Sequence, residues 1–313
     1  MDPYTRETKT WLDKRFLFGD EQGVYWAHQP IYGFRNGPIE PGIISRYIIT
    51  FEIMSMLAHL NFTSLLDVGG AEGYKAHLIS KIFNVNATNS DLSLEACKRS
   101  QEIFGVTSVP ADIHELPFHD NAFDVLLCSE TLEHVSDVEA ATDELLRVAK
   151  KAVVISVPHD SEKQVALNKE NREIHGHIHY FYDERFDYLH AQGYTVIKKK
   201  IVSPLLTMPT ALIDGMPRTH NPLWKHPKIF TSIYNCMIPF CRKCFGQKSA
   251  ELFMYLDRFM CKIVPLSKAY IFLILKEKDC FYHEPVRSVT ARQIIGASVK
   301  PHYLKIPHRS SDA

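Results

Sequence analysis

The stretch 64-SLLDVGGAEGY-74 decides the fold. It runs an apolar strand pattern into the acid Asp67, then into a turn built from Gly69, Gly70, Ala71 and Gly73, then into the start of a helix. Small residues let the backbone approach a ligand closely, and glycine accepts unusual φ/ψ angles, so this turn predicts a small-molecule pocket. Two nucleotide-type cofactors are candidates. A dinucleotide fingerprint needs glycines at i, i+2 and i+5, ahead of a helix that receives a pyrophosphate. Counted from Gly69, the later positions are Ala71 and Tyr74, so that pattern fails.

The residues that follow repeat the alternation. NATNSDLS, residues 86–93, reads as a second strand ending in Asp91, and LSLEACKRSQEIFG as a helix. SVPADIHELPF supplies Asp112 and Ile113 after a short third strand; residues 123–128 form a fourth strand running into Ser129 and Glu130, and 152–158 a fifth. Strands alternating with helices predict a parallel sheet covered on both faces. An acid at a strand end just past a glycine turn can accept both hydroxyls of a ribose.

In these residues the chain resembles the class I S-adenosylmethionine-dependent methyltransferases. Their first motif, acidic-x-Gly-x-Gly-x-Gly, is matched by Asp67, Gly69 and Gly73, with Ala71 replacing the middle glycine. The phrase ELPFHDNAFDVLLCSETLEHV, residues 115–135, is similar to the type 11 branch, which acts on small molecules and lipids. The likeness spans residues 60–202 and 269–277. It implies a doubly wound, seven-stranded, mostly parallel sheet of Rossmann-like type, with S-adenosylmethionine as cofactor. By resemblance, Asp67 and the Gly69 to Gly73 turn belong to the methionine portion, Asp91 with Leu92 to the ribose, and Asp112 with Ile113 to the adenine. Ser129 and Glu130 fall beside the reacting methyl. The implied activity is methyl transfer to oxygen or carbon of a small or lipid-like acceptor. The rival readings are a dinucleotide-dependent oxidoreductase and a non-catalytic binding protein of the same fold at a membrane surface.

Around the core, residues 61–202, the chain divides into an N-terminal extension (1–60), an insertion (203–268), a last core strand (269–280) and a tail (281–313) expected to be loosely held. In the extension, Ile44, Tyr47, Ile48, Phe51, Met54 and Leu57 recur at helical spacing and predict a core-packing helix with Pro41 in its first turn. The ring-rich segment before it (Tyr25, Trp26, His28, Tyr32, Phe34) suggests a lid over the cofactor. The insertion carries nine Lys or Arg against three Asp or Glu, seven prolines and many large apolar side chains. That composition suits a helical cap over the substrate pocket, or contact with an anionic lipid surface.

Imidazole titrates near neutrality, and ligands bind beyond the C-terminal ends of strands in such sheets. His159, directly after the fifth strand, is the first candidate base, His134 the second and His177 the third. Glu133 reads as a solvated helix face and Asp137 as a helix N-cap. His175, His177 and His179 alternate and would share one side of an extended segment. No cysteine or carboxylate completes a metal site next to them in sequence, and no metal is expected. Cys236, Cys241, Cys244 and Cys261 read as buried small hydrophobes rather than cluster ligands. Equal numbers of acidic and basic residues, 36 each, give no basic excess for nucleic acid. Seven scattered cysteines and the charged start MDPYTRETK lead to the expectation of a cytoplasmic protein with reduced thiols.

Overall fold

The computed structural model describes residues 1–17, 27, 29–31, 43–202, 240–241, 243–264 and 267–297. Pro41, the ring residues Tyr25, Trp26, His28, Tyr32 and Phe34, residues 203–239 with Cys236, and the chain beyond residue 297 lie outside the described residues.

Seven strands form one sheet: β1 (Ser64–Val68), β2 (Asn86–Asp91), β3 (Ser108–Pro110), β4 (Phe123–Ser129), β5 (Ala149–Pro158), β6 (Thr195–Ile201) and β7 (Ala269–Leu275), in the order β3-β2-β1-β4-β5-β7-β6. β7 runs antiparallel to both neighbours, and the other pairings are parallel. The strand order reverses at β1, where β2 and β4 flank it on opposite sides. Crevices for ligands open at such switch points, beyond the strand C-termini.

Alternating side chains separate the two layers. Leu65, Val125, Leu127, Val154, Ile271 and Leu273 face one cluster, together with the helices α2 (Ile43–Leu57) and α3 (Tyr74–Phe83). Leu66, Leu126, Val153, Ile155, Phe272 and Ile274 face the other, with α5 (Val138–Val148) and the ring pair Phe186–Phe272. Between them in the chain lies α4 (Leu94–Phe104), capped by Ser93, whose hydroxyl accepts the Ala96 N–H. Asp137 caps α5 in the same way, as its sequence position predicts.

Several described elements go beyond the sequence reading. The N-terminus forms a 15-residue helix, α1 (Pro3–Leu17), which packs on α4. Its amphipathic pattern is weak because it buries mainly Thr5, Thr8 and Phe16. Residues Asp187–Gln192 form a short 3-10 turn ahead of β6. Within the insertion, α7 (Gln247–Met260) packs against α2, while α6 (Glu162–Glu170) precedes the histidine segment. The first part of the tail is held firmly. Arg287 donates to the carbonyls of Leu60 and Phe62, each at 2.6 Å, and α8 (Ala291–Gly296) buries Ile294 and Ile295 behind a Thr290 capping box.

One buried ion pair joins three of these pieces. Glu52 of α2, 1 % exposed, accepts hydrogen bonds from Lys199 of β6 and, at 3.1 Å, from Arg258 of α7. Lys199 and Arg258 are each about a third exposed, so water can take over their charge when Glu52 is lost and the cost stays below that of a fully buried pair. Glu52→Ala should therefore lower stability by about 1–3 kcal/mol, read as a shift in the urea unfolding midpoint.

Candidate active site

A cavity of about 310 Å³ opens over the C-terminal ends of β1, β2 and β4. That lies at the lower end of the range for small-molecule sites, ~300–1,000 Å³. Its floor begins with the β1–α3 turn. The N–H groups of Gly69 and Gly70 both donate to the Ser90 carbonyl, at 2.8 and 3.1 Å, which ties the turn to β2. Ala71 donates its N–H to the Asp91 carboxylate at 2.9 Å, and the Ser93 N–H donates to the other oxygen at 2.8 Å. Asp91 thus braces the turn and still presents lone pairs to the cavity it lines.

The glycines serve packing as well as approach. Gly69 has φ 73°, and a Cβ there would lie 2.2 Å from Thr131 Oγ1; Gly73 has φ 75°, and its Cβ would lie 2.2 Å from Ser100 Oγ. Much of the space they leave is thus filled by protein neighbours. Gly69 and Ala71 line the cavity, whereas Gly70, Gly73 and Asp67 sit behind it. Ala71 takes the middle motif position at φ 48°, in the left-handed region that glycine occupies at lower cost.

Of the remaining residues expected at the cofactor, Leu92, Asp112, Ile113, Ser129 and Glu130 all line the cavity. Asp112 is held below the usual carboxylate range by His114, whose Nδ1 donates to it at 2.7 Å. Sequence reasoning passed over His114, two residues from the acid it holds. Glu130 follows β4 with φ 57° and accepts a hydrogen bond from Ser156 at 3.2 Å. A non-glycine residue held in this region at a cavity wall is a mark of functional strain.

Helix α1 forms one wall of the cavity. Tyr4, Thr5, Thr8, Leu12 and Phe16 line the cavity, and Asp13 accepts the Ser93 hydroxyl at 2.7 Å. The Ser136 hydroxyl donates to Asp2 at 3.0 Å, fastening the other end of the helix. The described part of the insertion, by contrast, does not line the cavity; it packs on α2.

The candidate bases separate. His159 does not line the cavity, and its Nδ1 meets the Ser267 hydroxyl at 2.6 Å beside Tyr270. His134 and His177 do line it, their rings edge to face at 4.8 Å. His175 joins them, stacked on His134 at 3.8 Å and on Trp11 of α1 at 4.9 Å. His179 instead turns its Nε2 to the Val135 carbonyl at 2.7 Å, so the three alternating histidines do not converge. Burial holds His134 well below its ordinary pKa and His175 down to about 4. Glu133 is the largest departure from expectation. Far from being solvated, it is 1 % exposed, and burial raises its pKa well above the carboxylate range.

The cavity lining holds four acids, Asp91, Asp112, Glu130 and Glu133, against Lys75 and Arg46. Burial raises both Asp67 and Asp91 from the usual 3.8 to about 6. A folded-state pKa above the unfolded one contributes stability that is complete below 3.8 and lost as pH rises through about 6. A bound cation, or a donor to these carboxylates, would favour their charged forms instead.

A doubly wound sheet with a small-residue turn and acids at successive strand ends defines an α/β nucleoside-binding architecture. Residues 66–157 match the sequence model of a family described as "Methyltransferase domain", within the sheet that holds the cavity. It is 29 % identical over 163 residues to 2-methyl-6-phytyl-1,4-hydroquinone methyltransferase of Synechocystis sp., covering 47 % of this chain and 51 % of that one. It is 33 % identical over 91 residues to the mitochondrial arginine-hydroxylase NDUFAF5 of Homo sapiens, covering 29 % of this chain and 26 % of that one. The match thus spans about half of the first relative and a quarter of the second. The fold is also similar to the crystal structure of the [4+2]-cyclase SpnF, with a TM-score of 0.50 and 16 % identity over 87 % of this chain and 93 % of that one.

Gly69→Ala would meet Thr131 and force alanine into left-handed backbone, itself costing ~1–2 kcal/mol. The variant should melt measurably below the parent in a thermal denaturation scan, whereas Ala71→Gly should not.

Proposed function

We propose that this protein binds S-adenosylmethionine in the β1–β2–β4 cavity and transfers its methyl group to an oxygen or carbon of a small or lipid-like acceptor. The single observation that carries this reading is the acid-lined crevice braced by Asp91, within residues that match a methyltransferase-domain model. The cofactor would supply a cationic sulfonium bearing an activated methyl. The surplus of carboxylates suits that charge, and Lys75 and Arg46 suit the carboxylate of an amino-acid moiety.

In this reading Asp91 accepts the ribose hydroxyls through the lone pairs left free by Ala71 and Ser93. Asp112 and the Ile113 amide face the adenine, and Gly69 with Ala71 the methionine portion. Glu130, His134 and His177 form the acceptor end, where they orient the acceptor. α1 excludes water from above. Holding two reactants in line can contribute ~7–11 kcal/mol to a bimolecular step, so positioning carries most of the task. The hydroquinone methyltransferase relative, whose printed name includes a phytyl chain, supports a lipid-like acceptor. The hydroxylase relative makes oxygen chemistry on the same fold the outcome to test against.

A further observation favours contact with a lipid surface. Leu252, Phe259 and Ile263, on and just after α7, are 63 %, 58 % and 61 % exposed. Flotation with anionic liposomes should carry the protein upward, and Leu252→Glu/Phe259→Glu should leave it at the bottom of the gradient.

Isothermal titration should give saturable binding of S-adenosylmethionine and S-adenosylhomocysteine, and no heat with nicotinamide dinucleotides. Asp91→Asn keeps the shape but removes the charge, and charge-assisted hydrogen bonds contribute ~1.5–3 kcal/mol, so affinity should fall about 10- to 100-fold. Because Asp91 must lose its proton to accept both hydroxyls, affinity should be level near pH 8. It should then fall as pH drops through about 6, approaching tenfold per pH unit below that. A flat profile would remove Asp91 from the binding role.

A further inference from the structure

The acceptor end of the cavity holds an arrangement that hydrogen bonding with an acceptor does not require. One carboxylate oxygen of Glu133 and one ring nitrogen each of His134 and His177 lie within 4.8 Å of one another. The side chains come from two segments, the 3-10 turn Leu132–His134 after β4 and the extended stretch around residue 177, which the Ile178 N–H ties to the Glu133 carbonyl at 2.8 Å.

Each imidazole has one nitrogen committed elsewhere. His134 donates its Nδ1–H to the Gly176 carbonyl at 3.1 Å, and His177 donates its Nδ1–H to the Asp160 carboxylate. A carbonyl can only accept, so the His134 tautomer is set and its Nε2 carries a lone pair. That lone pair lies 3.8 Å from the Glu133 carboxylate. The Asp160 contact leaves the His177 Nε2 equally available. This is the outer-shell pattern that fixes metal-binding histidines. Glu133 Oε2 is buried and has no hydrogen-bond partner, although an orphaned buried oxygen is costly. A general-base role for either histidine would explain neither the second imidazole nor the orphaned carboxylate.

We propose that Glu133, His134 and His177 bind a divalent first-row transition metal ion, with Asp160 and the Gly176 carbonyl orienting the two histidines. Two nitrogens and one carboxylate favour Mn²⁺, Fe²⁺, Co²⁺ or Zn²⁺ over Mg²⁺ and Ca²⁺, which prefer all-oxygen surroundings. Ligands ~2.1 Å from one ion lie at most ~4.2 Å apart, so small side-chain rotations close the site. Three protein ligands leave positions open toward the cavity. Resting on the methyl-transfer reading, those positions would take an oxygen of the acceptor. The oxygen–metal bond forms, the hydroxyl proton leaves to solvent, and the acceptor is held as its more nucleophilic anion. The acceptor would then be a hydroxyl compound able to ligate a metal, not an amine or an alkene.

The test is a Mn²⁺ titration of the full-length protein followed by electron paramagnetic resonance, without cofactor or acceptor. The expected result is saturation at one ion per chain, displaced by Zn²⁺ but not by a large excess of Mg²⁺. Glu133→Gln and His177→Ala should each weaken binding at least tenfold, and Asp160→Asn about tenfold, in the range of outer-shell changes. His159→Ala, outside the cavity, should bind as the parent does. Thermal melts and S-adenosylmethionine titration of each variant separate a lost site from a lost fold. They also keep a failure of the cofactor reading distinct from a failure of the metal site. Where Glu133→Gln fails to fold, the Co²⁺ visible spectrum of His177→Ala replaces it. Absence of saturable Mn²⁺ binding by the folded parent, or equal binding by the folded Glu133→Gln and His177→Ala variants, overturns the proposal.

Discussion

The structure depends first on the bracing of one turn by the neighbouring strand. The backbone leaving β1 must reverse into α3 over a few residues, and the N–H groups of Gly69, Gly70 and Ala71 find their partners outside the turn. β2 supplies them through the Ser90 carbonyl and the Asp91 carboxylate. A carboxylate accepting backbone N–H groups in a buried place is polarised by fixed dipoles, so its remaining lone pairs are held in a set direction. Asn89 extends the bracing, donating to the Ala71 carbonyl at 3.1 Å and to Ser108 at 2.8 Å, so that β1, β2 and β3 are coupled at one edge of the cavity. Without this coupling the acids at successive strand ends would not share a crevice.

The cavity edge concentrates buried ionisable groups. Both faces of the sheet are lined by aliphatic and aromatic side chains, yet Asp67, Lys75, Asp91 and Glu133 are all buried at its C-terminal edge. Burying charge is costly without partners, and the three acids Asp67, Asp91 and Glu133 are accordingly raised toward neutrality by burial. A cationic cofactor, and a cation at the far end, would each reverse part of that shift. The same free energy that makes the ligand-free cavity unfavourable then favours binding.

Much of the cofactor half was legible in the sequence because its signals are local. A strand followed by a turn of small residues, and an acid at the end of each succeeding strand, are short-range patterns whose placement follows from the alternation of elements. Leu92, Asp112, Ile113, Ser129 and Glu130 accordingly line the cavity. The histidines were harder to read. Position directly after a strand put His159 ahead of His134, but β7 pairs with β5 and His159 meets Ser267, just before β7. Glu133 reads as a solvated helix face in sequence because it lies just ahead of the periodic helix that Asp137 caps. Its burial is imposed by the segment around Ile178, more than forty residues later in the chain.

The amino-acid order by itself determined the strand-and-helix succession, the glycine turn and the cofactor-side acids, since periodicity and backbone preference act over a few residues. Only the tertiary structure decided which element closes the cavity and which histidines enter it. Asp13 reaches Ser93 across eighty positions, and His177 meets Glu133 and His134 across more than forty. Contacts at such separations are selected by the packing of the whole sheet and its layers, and no local pattern carries them.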